Sequence, residues 1–348
     1  DIEAVWAEQT YGDNSYSTAM DVGARFGGRS GDASDSAGSL EGGEHLARVI
    51  LGTTNVSGVD FGFSFNVVTN VRGGADADDD TSAARTVQGS LRQFLQNANA
   101  IIGANSMRFV PAVAANAGSW WQLLVTLDLP DVLDSDTTID GTAYSFNDGT
   151  SLRNLNPGSM GAGGSVGVDS QALPTLNRPE FEIWDGDNRN IGLDLQAANA
   201  TVRRLAIYGF GDAQNNDGEA NIRVGKFSGT LIEACVIGAN AASFTAPTEV
   251  DTADNIRVVE SFGGIIRNNL IGFSGGNGIG MKNDADGWEI QGNEIRDNAS
   301  QDLEMNGISL EDSRDATIQG NFISGSRGAG IDTPSSTGAH TIETVSYT

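Results

Sequence analysis

Ile266-Arg-Asn-Asn269-Leu-Ile271, Ile290-Gln-Gly-Asn293-Glu-Ile295 and Ile318-Gln-Gly-Asn321-Phe-Ile323 are three copies of one six-residue phrase. Each has apolar residues at its first and last positions and an asparagine at its fourth. Looser copies flank them: Val202-Arg-Arg-Leu205-Ala-Ile207, Ile232-Glu-Ala-Cys235-Val-Ile237 and Ile342-Glu-Thr-Val345-Ser-Tyr347. Successive copies start 30, 34, 24, 28 and 24 residues apart. A second phrase is interleaved with the first. It runs Gly192-Leu-Asp-Leu195, Asn221-Ile-Arg-Val224, Asn255-Ile-Arg-Val258, Gly278-Ile-Gly-Met281, Gly307-Ile-Ser-Leu310 and Gly330-Ile-Asp-Thr333, advancing about 28 residues per step.

Few architectures have such a step. Apolar residues recur at period 2 and the glycines would break helices, which excludes a helical solenoid. A propeller blade needs four strands in ~40–45 residues, more than one step holds. Two or three short strands per step, turned by Gly, Asn and Asp, make one coil of a right-handed, single-stranded parallel β-helix. Unequal steps are then insertions at turns, and glycine supplies corners of positive φ. Asn269, Asn293 and Asn321 fall at one place in three successive coils. They read as a structural asparagine ladder in which buried amides bond from coil to coil.

Upstream the pattern changes. Residues 1–66 are rich in Gly, Ser and Asp. Arg48–Leu51 reads as one strand, and the alternating Phe61, Phe63 and Phe65 as a second, half-buried one. This piece is expected to be a small N-terminal β segment, a partial sandwich or an assembly arm, ahead of a β-helix over 67–348. Ser90 is a candidate N-cap, and Leu91, Phe94, Leu95 and Ala98 form one apolar stripe, which predicts a helix over about 88–101. Met107–Val110, Leu123–Leu129 and Thr137–Ile139 read as strands.

Composition narrows the function. Twenty basic against 46 acidic side chains leave a net charge of −26, which repels nucleic acid. A hydrophobic fraction of 39%, with 14 Phe and 5 Trp, builds a core and excludes a disordered acidic tail. One cysteine excludes a disulfide framework and cysteine-rich zinc sites, and the two histidines, His45 and His340, are far apart in sequence. No apolar run reaches the ~20 residues of a membrane span. Asp1–Trp6 has neither the basic nor the apolar region of a signal peptide, so the chain is expected to be cytosolic or an already processed secreted form.

Two stretches together carry a resemblance. Gly89-Ser-Leu-Arg-Gln93 with Asn97-Ala-Asn99, a strand ending Phe109-Val-Pro111, then Leu129-Pro130 and Thr138-Ile-Asp-Gly-Thr142, resembles the N-terminal entry of bacterial secreted and cell-surface right-handed parallel β-helix proteins. The repeats from about residue 200 look like the parallel β-helix repeat of pectate-lyase-like folds. Residues 56–65 resemble the closing strand of β-sandwich modules that precede such domains. The resemblance implies that the 88–101 helix caps the open end of the stack. It says little about activity, because the fold hosts lyases, hydrolases, tailspikes, adhesins and scaffolds.

The resemblance also says what enzymes of this fold contain. Pectate-lyase-like sites commonly carry Trp-x-Asp-His and Arg-x-Pro-x-x-Arg. Polygalacturonase-like sites carry Asn-Thr-Asp, Asp-Asp, Gly-His-Gly and Arg-Ile-Lys. Of these strings only Asp-Asp occurs, in the acidic loop. A carboxylate pair assembled in space would come from Asp284 and Asp286, or from Glu311, Asp312 and Asp315, although acids at turns more often serve the turn itself. Asp76, Asp78, Asp79 and Asp80 cluster hard oxygens and are the candidate calcium ligands, with Asp212, Asn216 and Asp217 a second cluster. Thr81 and Val87 stand where a calcium loop has Gly and Glu. The Gly-rich segment Gly158–Gly167 has no Lys and reads as an exposed loop rather than a phosphate cradle. Cys235, at the ladder position, reads as a core thiol.

The expected role is an extracellular or cell-surface structural β-helix of bacterial origin, a scaffold or a filament subunit stacked head to tail, with adhesion and calcium stabilisation as further features and no catalytic residues. A polysaccharide lyase or glycoside hydrolase and a monomeric glycan-binding adhesin are the alternatives. No cap comparable to the helix follows Tyr347, so the last coil is expected to be covered by more chain or by another subunit. Residues 1–20 would supply a strand across such a joint. Expected partners are further copies or the rest of a larger surface protein, and carbohydrate. Nucleic acid and a membrane span are not expected.

Overall fold

A computed structural model describes residues 8–15, 24–28, 45–74, 89–185, 188–211, 218–248, 253–301, 304–336, 338–343 and 345–347. Three parallel sheets form the walls of a right-handed parallel β-helix, as the repeats predict. The seven-stranded sheet runs Thr138–Asp140, Thr201–Arg203, Leu231–Glu233, Ile265–Arg267, Glu289–Gln291, Thr317–Gln319, Thr341–Glu343. The eight-stranded sheet runs Trp121–Val125, Phe181–Asp185, Ala206–Tyr208, Val236–Ile237, Leu270–Gly272, Glu294–Arg296, Phe322–Ser324, Ser346–Tyr347. The six-stranded sheet runs Ile191–Leu195, Ala220–Val224, Asp254–Val259, Ile279–Lys282, Ile308–Leu310, Ile331–Asp332.

Each six-residue phrase is two strands and a corner. Its first residue is in register with the same residue of the next coil, from Val202 through Ile232, Ile266, Ile290 and Ile318 to Ile342. Its third residue turns the chain from the seven-stranded to the eight-stranded sheet in the left-handed region. There Arg204, Ala234 and Asn268 have φ of 57°, 54° and 54°, and Gly292 and Gly320 have 63° and 65°. Its fourth residue points inward. At that place Asn269 donates from Nδ2 to Asn293 Oδ1 (3.0 Å), and Asn293 does the same to Asn321 (2.9 Å). The same oxygens take the backbone N–H of Asn269 and Asn293, and each amide also donates to a carbonyl of the preceding coil. A second ladder lies at the corner leading into the six-stranded sheet. Asn221 donates to Asn255 (2.7 Å), and Asn255 donates to Asn298 (3.0 Å).

The helix spans Leu91–Ala100. Ser90 Oγ accepts the Gln93 N–H and Gln93 Oε1 reaches back to accept the Gly89 N–H, a variant of the capping box shifted by one residue. Leu91, Phe94, Leu95 and Ala98 are buried in the same core as Trp121, Leu123 and Ile139, so the helix closes the first coil.

Beside it sits an antiparallel sheet of Arg25–Phe26, Glu8–Gly12 and Gly62–Ser64. Here the sequence reading needs correction. Arg48–Leu51 is not a strand; the strand is Leu46–Ala47, paired with Asn14–Ser15. Phe61, Phe63 and Phe65 are all exposed, at 43%, 67% and 43%, because so small a ribbon offers no opposing layer to bury them. Glu8–Ser15 is paired within its own module rather than held out as a strand for a joint. Residues 1–7 and 16–20 of that expected arm lie outside the described residues. Farther on, the strand expected at Leu123–Leu129 begins earlier, as Trp121–Val125.

Candidate functional site

The outer face of the eight-stranded sheet differs from the other two because it is covered. Ala206, Val236 and Leu270 point outward in successive coils and pack with the corner residue Phe273 under Met160, Leu176 and Phe244, which belong to crossing segments. Three buried glutamates fasten those segments down. Glu182 Oε1 accepts from Gln122 Nε2 (2.6 Å) and the Tyr208 hydroxyl (3.2 Å), and its Oε2 accepts the Ala241 N–H (2.8 Å). Glu180 accepts the N–H groups of Leu155 and Asn156. Glu294 accepts the N–H of Ala162. A charge-assisted bond to a loop amide in a dry place is a strong clamp.

Burial sets the electrostatics. Desolvation raises the carboxyls of Glu182 and Glu180 above the ordinary glutamate value, and their hydrogen bonds offset this only in part. A raised folded-state value means that the folded chain holds the proton more tightly than the unfolded chain. The stabilisation is therefore full below the unfolded value, about 4.3, and is lost as pH rises through the folded one. Glu182→Gln is expected to remove its share of that slope. The gap between wild-type and variant melting temperatures, followed from pH 4 to 8, should change with pH. A constant gap would show that Glu182 is not the titrating group.

A cleft of about 300 Å³ opens beside Glu180, lined by Arg153, Arg178 and Arg204. Two of these arginines are committed. Arg153 donates to the Pro111 carbonyl and lies 4.7 Å from the centre of a Trp121 ring, and Arg204 pairs with Asp140 at 3.2 Å.

The acids singled out in the sequence serve the coil corners. Asp284 and Asp286 are neighbours, but both face Arg314, at 3.2 and 3.0 Å. Glu311 pairs with Lys282 at 3.6 Å. Asp312 and Asp315 occupy left-handed corner positions with φ of 48° and 57°. The calcium candidates Asp76, Asp78, Asp79 and Asp80, and the second cluster Asp212, Asn216 and Asp217, lie outside the described residues. Cys235 is fully buried and its thiol is pushed up to about 12, chiefly by desolvation, so it carries no thiolate near neutrality. Gly158–Gly167 is only partly an exposed loop: Ser159–Met160 pairs with Leu176–Asn177, and Ala162 reaches Glu294. The sequence reading missed Glu180, Glu182 and Glu294. The available signal was the apolar outward position shared by Ala206, Val236 and Leu270, which a solvent-facing sheet would not keep.

Residues 199–344 match the family model described as periplasmic copper-binding protein (NosD). Among solved structures, the chain is similar to full-length tailspike protein 2 of Escherichia coli O157:H7 bacteriophage CAB120 at 12% identity and a TM-score of 0.36, covering 79% of this chain and 42% of the tailspike. It is also similar to the A-module of the Azotobacter vinelandii mannuronan C-5 epimerase AlgE4 at 16% identity and a TM-score of 0.30, covering 74% of this chain and 92% of that module. The chain thus spans less than half the length of the tailspike.

Copper favours sulfur and imidazole ligands. Among the described residues no three of His, Cys, Asp or Glu converge where a metal ion could sit. Cys235 is sealed in the core. His340 Nδ1 accepts the Ala316 N–H, and its Nε2 is 2.7 Å from Ser336 Oγ. The described residues therefore do not fit a copper centre. Nor is any helix among them long and apolar enough to cross a membrane.

Proposed function

We propose that the protein is an exported β-helical scaffold whose copies stack end to end. One observation carries this reading. The seven- and eight-stranded sheets keep one register through Thr341–Glu343 and Ser346–Tyr347, over an inward row in which Ile139, Val202, Ile232, Ile266, Ile290 and Ile318 are at most 1% exposed. A coil added in the same register, whether of this chain or of another copy, would pair on those last strands. The small N-terminal module lies against the capping helix, where Asn97 Nδ2 donates to the Phe65 carbonyl, and it exposes Leu51 in a loop and Phe63 on its sheet. Where the added coil comes from another copy the contact is heterologous, and a heterologous contact propagates into a filament. The family match supports a place outside the cytoplasm. A net charge of −26 makes the contact depend on salt or divalent cations.

Negative-stain microscopy and sedimentation of the full chain, at low and high salt and with and without a calcium chelator, test the proposal. Filaments or short stacks are expected. Phe63→Arg should shorten them at least tenfold without moving the melting temperature, because that side chain is exposed. Monodisperse monomers in every condition would sink the idea. So would monomers that bind glycan, or monomers that release unsaturated, ultraviolet-absorbing products from a uronate polymer.

A further inference from the structure

The chain leaves the stack between Trp121–Val125 and Phe181–Asp185, the first two strands of the eight-stranded sheet, and part of that excursion is an antiparallel hairpin. Ser159–Met160 pairs with Leu176–Asn177, and Ser165–Val166 pairs with Gln171–Ala172. The hairpin has one apolar face. Met160, Val166, Leu173 and Leu176 are buried, whereas Ser159, Ala172 and Asn177 are exposed. An isolated two-stranded hairpin is marginal in water, so its order depends on what lies beneath it.

Beneath it runs one register column of the eight-stranded sheet. Ala206, Val236, Leu270, Glu294, Phe322 and Ser346 follow one another in successive coils. Met160 and Leu176 pack in one cluster with Ala206, Val236 and Leu270. One coil farther on, the Ala162 N–H donates to Glu294. Beyond that, Gln171 lies over the Gly320 corner, where a Cβ would collide with its Oε1. Near the turn of the hairpin, the Gly167 N–H donates to Ser346 Oγ (2.9 Å). Ala162 and Glu294 are 132 residues apart in sequence, and Gly167 and Ser346 are 179 apart. The hairpin therefore crosses the strands and runs along the axis of the stack.

This placement departs from the usual energetics of a solenoid. There each coil touches only its neighbours, stability is a sum of local terms, and terminal coils open by themselves. The asparagine ladders obey that rule, since each rung reaches only the next coil. The hairpin does not. We infer that residues 158–178 form a lengthwise staple that joins non-adjacent coils into one unfolding unit. The coil of Ser346 cannot open without breaking its bond to a segment that is seated on Leu270 and Glu294, and lifting that segment uncovers the apolar column beneath it. Fraying of the last coils thus carries a cost set several coils away.

Hydrogen exchange of the full chain, followed coil by coil by mass spectrometry, tests the staple. In a shortened chain Gly163–Leu173 is replaced by Asn-Gly, a two-residue hairpin turn that keeps Met160, Ala162 and Leu176 in place. Exchange at Thr317–Gln319 and Phe322–Ser324 is expected to rise about tenfold, while Thr201–Arg203 and Ala206–Tyr208 keep their rates. Ser346→Ala removes only the acceptor of the Gly167 N–H. It is expected to raise exchange at Phe322–Ser324 about threefold, and it carries the test by itself if the shortened chain fails to fold. Unchanged exchange at Phe322–Ser324 in either variant would overturn the inference. So would an equal rise in every coil, which would mean that the hairpin adds stability without coupling one part of the stack to another.

Discussion

Replacing Asn293 by leucine is expected to lower the free energy of unfolding by about 4 kcal/mol, although the two side chains have nearly the same shape. Asn293 is fully buried in the middle of the first ladder. Its Oδ1 accepts two N–H groups of Asn269, and its Nδ2 donates to the Ile266 carbonyl and to Asn321 Oδ1. Leucine removes all four bonds and leaves both Asn269 donors and the Ile266 carbonyl in a dry interior, at about 1–3 kcal/mol for each stranded group. The added apolar contact offsets a fraction of that. Urea denaturation of the two proteins measures the difference, and a loss under 1 kcal/mol would show that water or backbone movement satisfies the column. Asn293→Asp gives the pH signature of the same site. Its carboxylate still accepts from Asn269 but faces two other oxygens, so burial raises its folded-state value above the unfolded one of about 3.9. That variant should be most stable below the unfolded value and should weaken as pH rises through the folded one.

The interior of this molecule is legible because it repeats. Once Ile266, Ile290 and Ile318 are aligned, the inward rows, the corner residue and the asparagine column follow from strand geometry. What lies outside the coil does not repeat, and there a single sequence reads poorly. Val236, Leu270 and Glu294 occupy one outward column, and only the segments crossing above them explain the mixture. The acids behave the same way. Along the seven-stranded sheet the outward column runs Asp140, Arg203, Glu233, Arg267, with close pairs between neighbours. Arginines thus neutralise that flat wall, while Asp284, Asp312 and Asp315 sit at left-handed corners. A carboxylate count cannot separate these roles, since pairing depends on which coils become neighbours. The phenylalanines at 61, 63 and 65 misled for the opposite reason: their alternation is real, but alternation predicts burial only where a second layer exists to receive it.

Gly238→Ala is expected to be the most damaging single-methyl change in the described structure, lowering stability by about 4 kcal/mol or preventing a folded product. Gly238 follows the strand Val236–Ile237 at φ of 86°, and its N–H donates to the Ile207 carbonyl, so it cannot slide along the coil. A Cβ there would stand 1.9 Å from the Gly272 carbonyl oxygen and 2.5 Å from Asn255 Oδ1. Neither obstacle is a flexible chain end. Gly272 is backbone of the next coil, and Asn255 is the middle rung of the second ladder, donating to that same Gly272 carbonyl. The methyl must push two coils apart or expel the rung, and either way the Asn221–Asn255–Asn298 column breaks. Gly263→Ala separates this clash from simple backbone strain. Gly263 has φ of 60° with nothing within 4 Å of the added carbon, so only the left-handed penalty of about 1 kcal/mol applies. Chemical denaturation of both variants should therefore show a gap of about 3 kcal/mol between them. Equal losses would mean that neighbouring coils give way easily, and the second ladder would then be no brace between them.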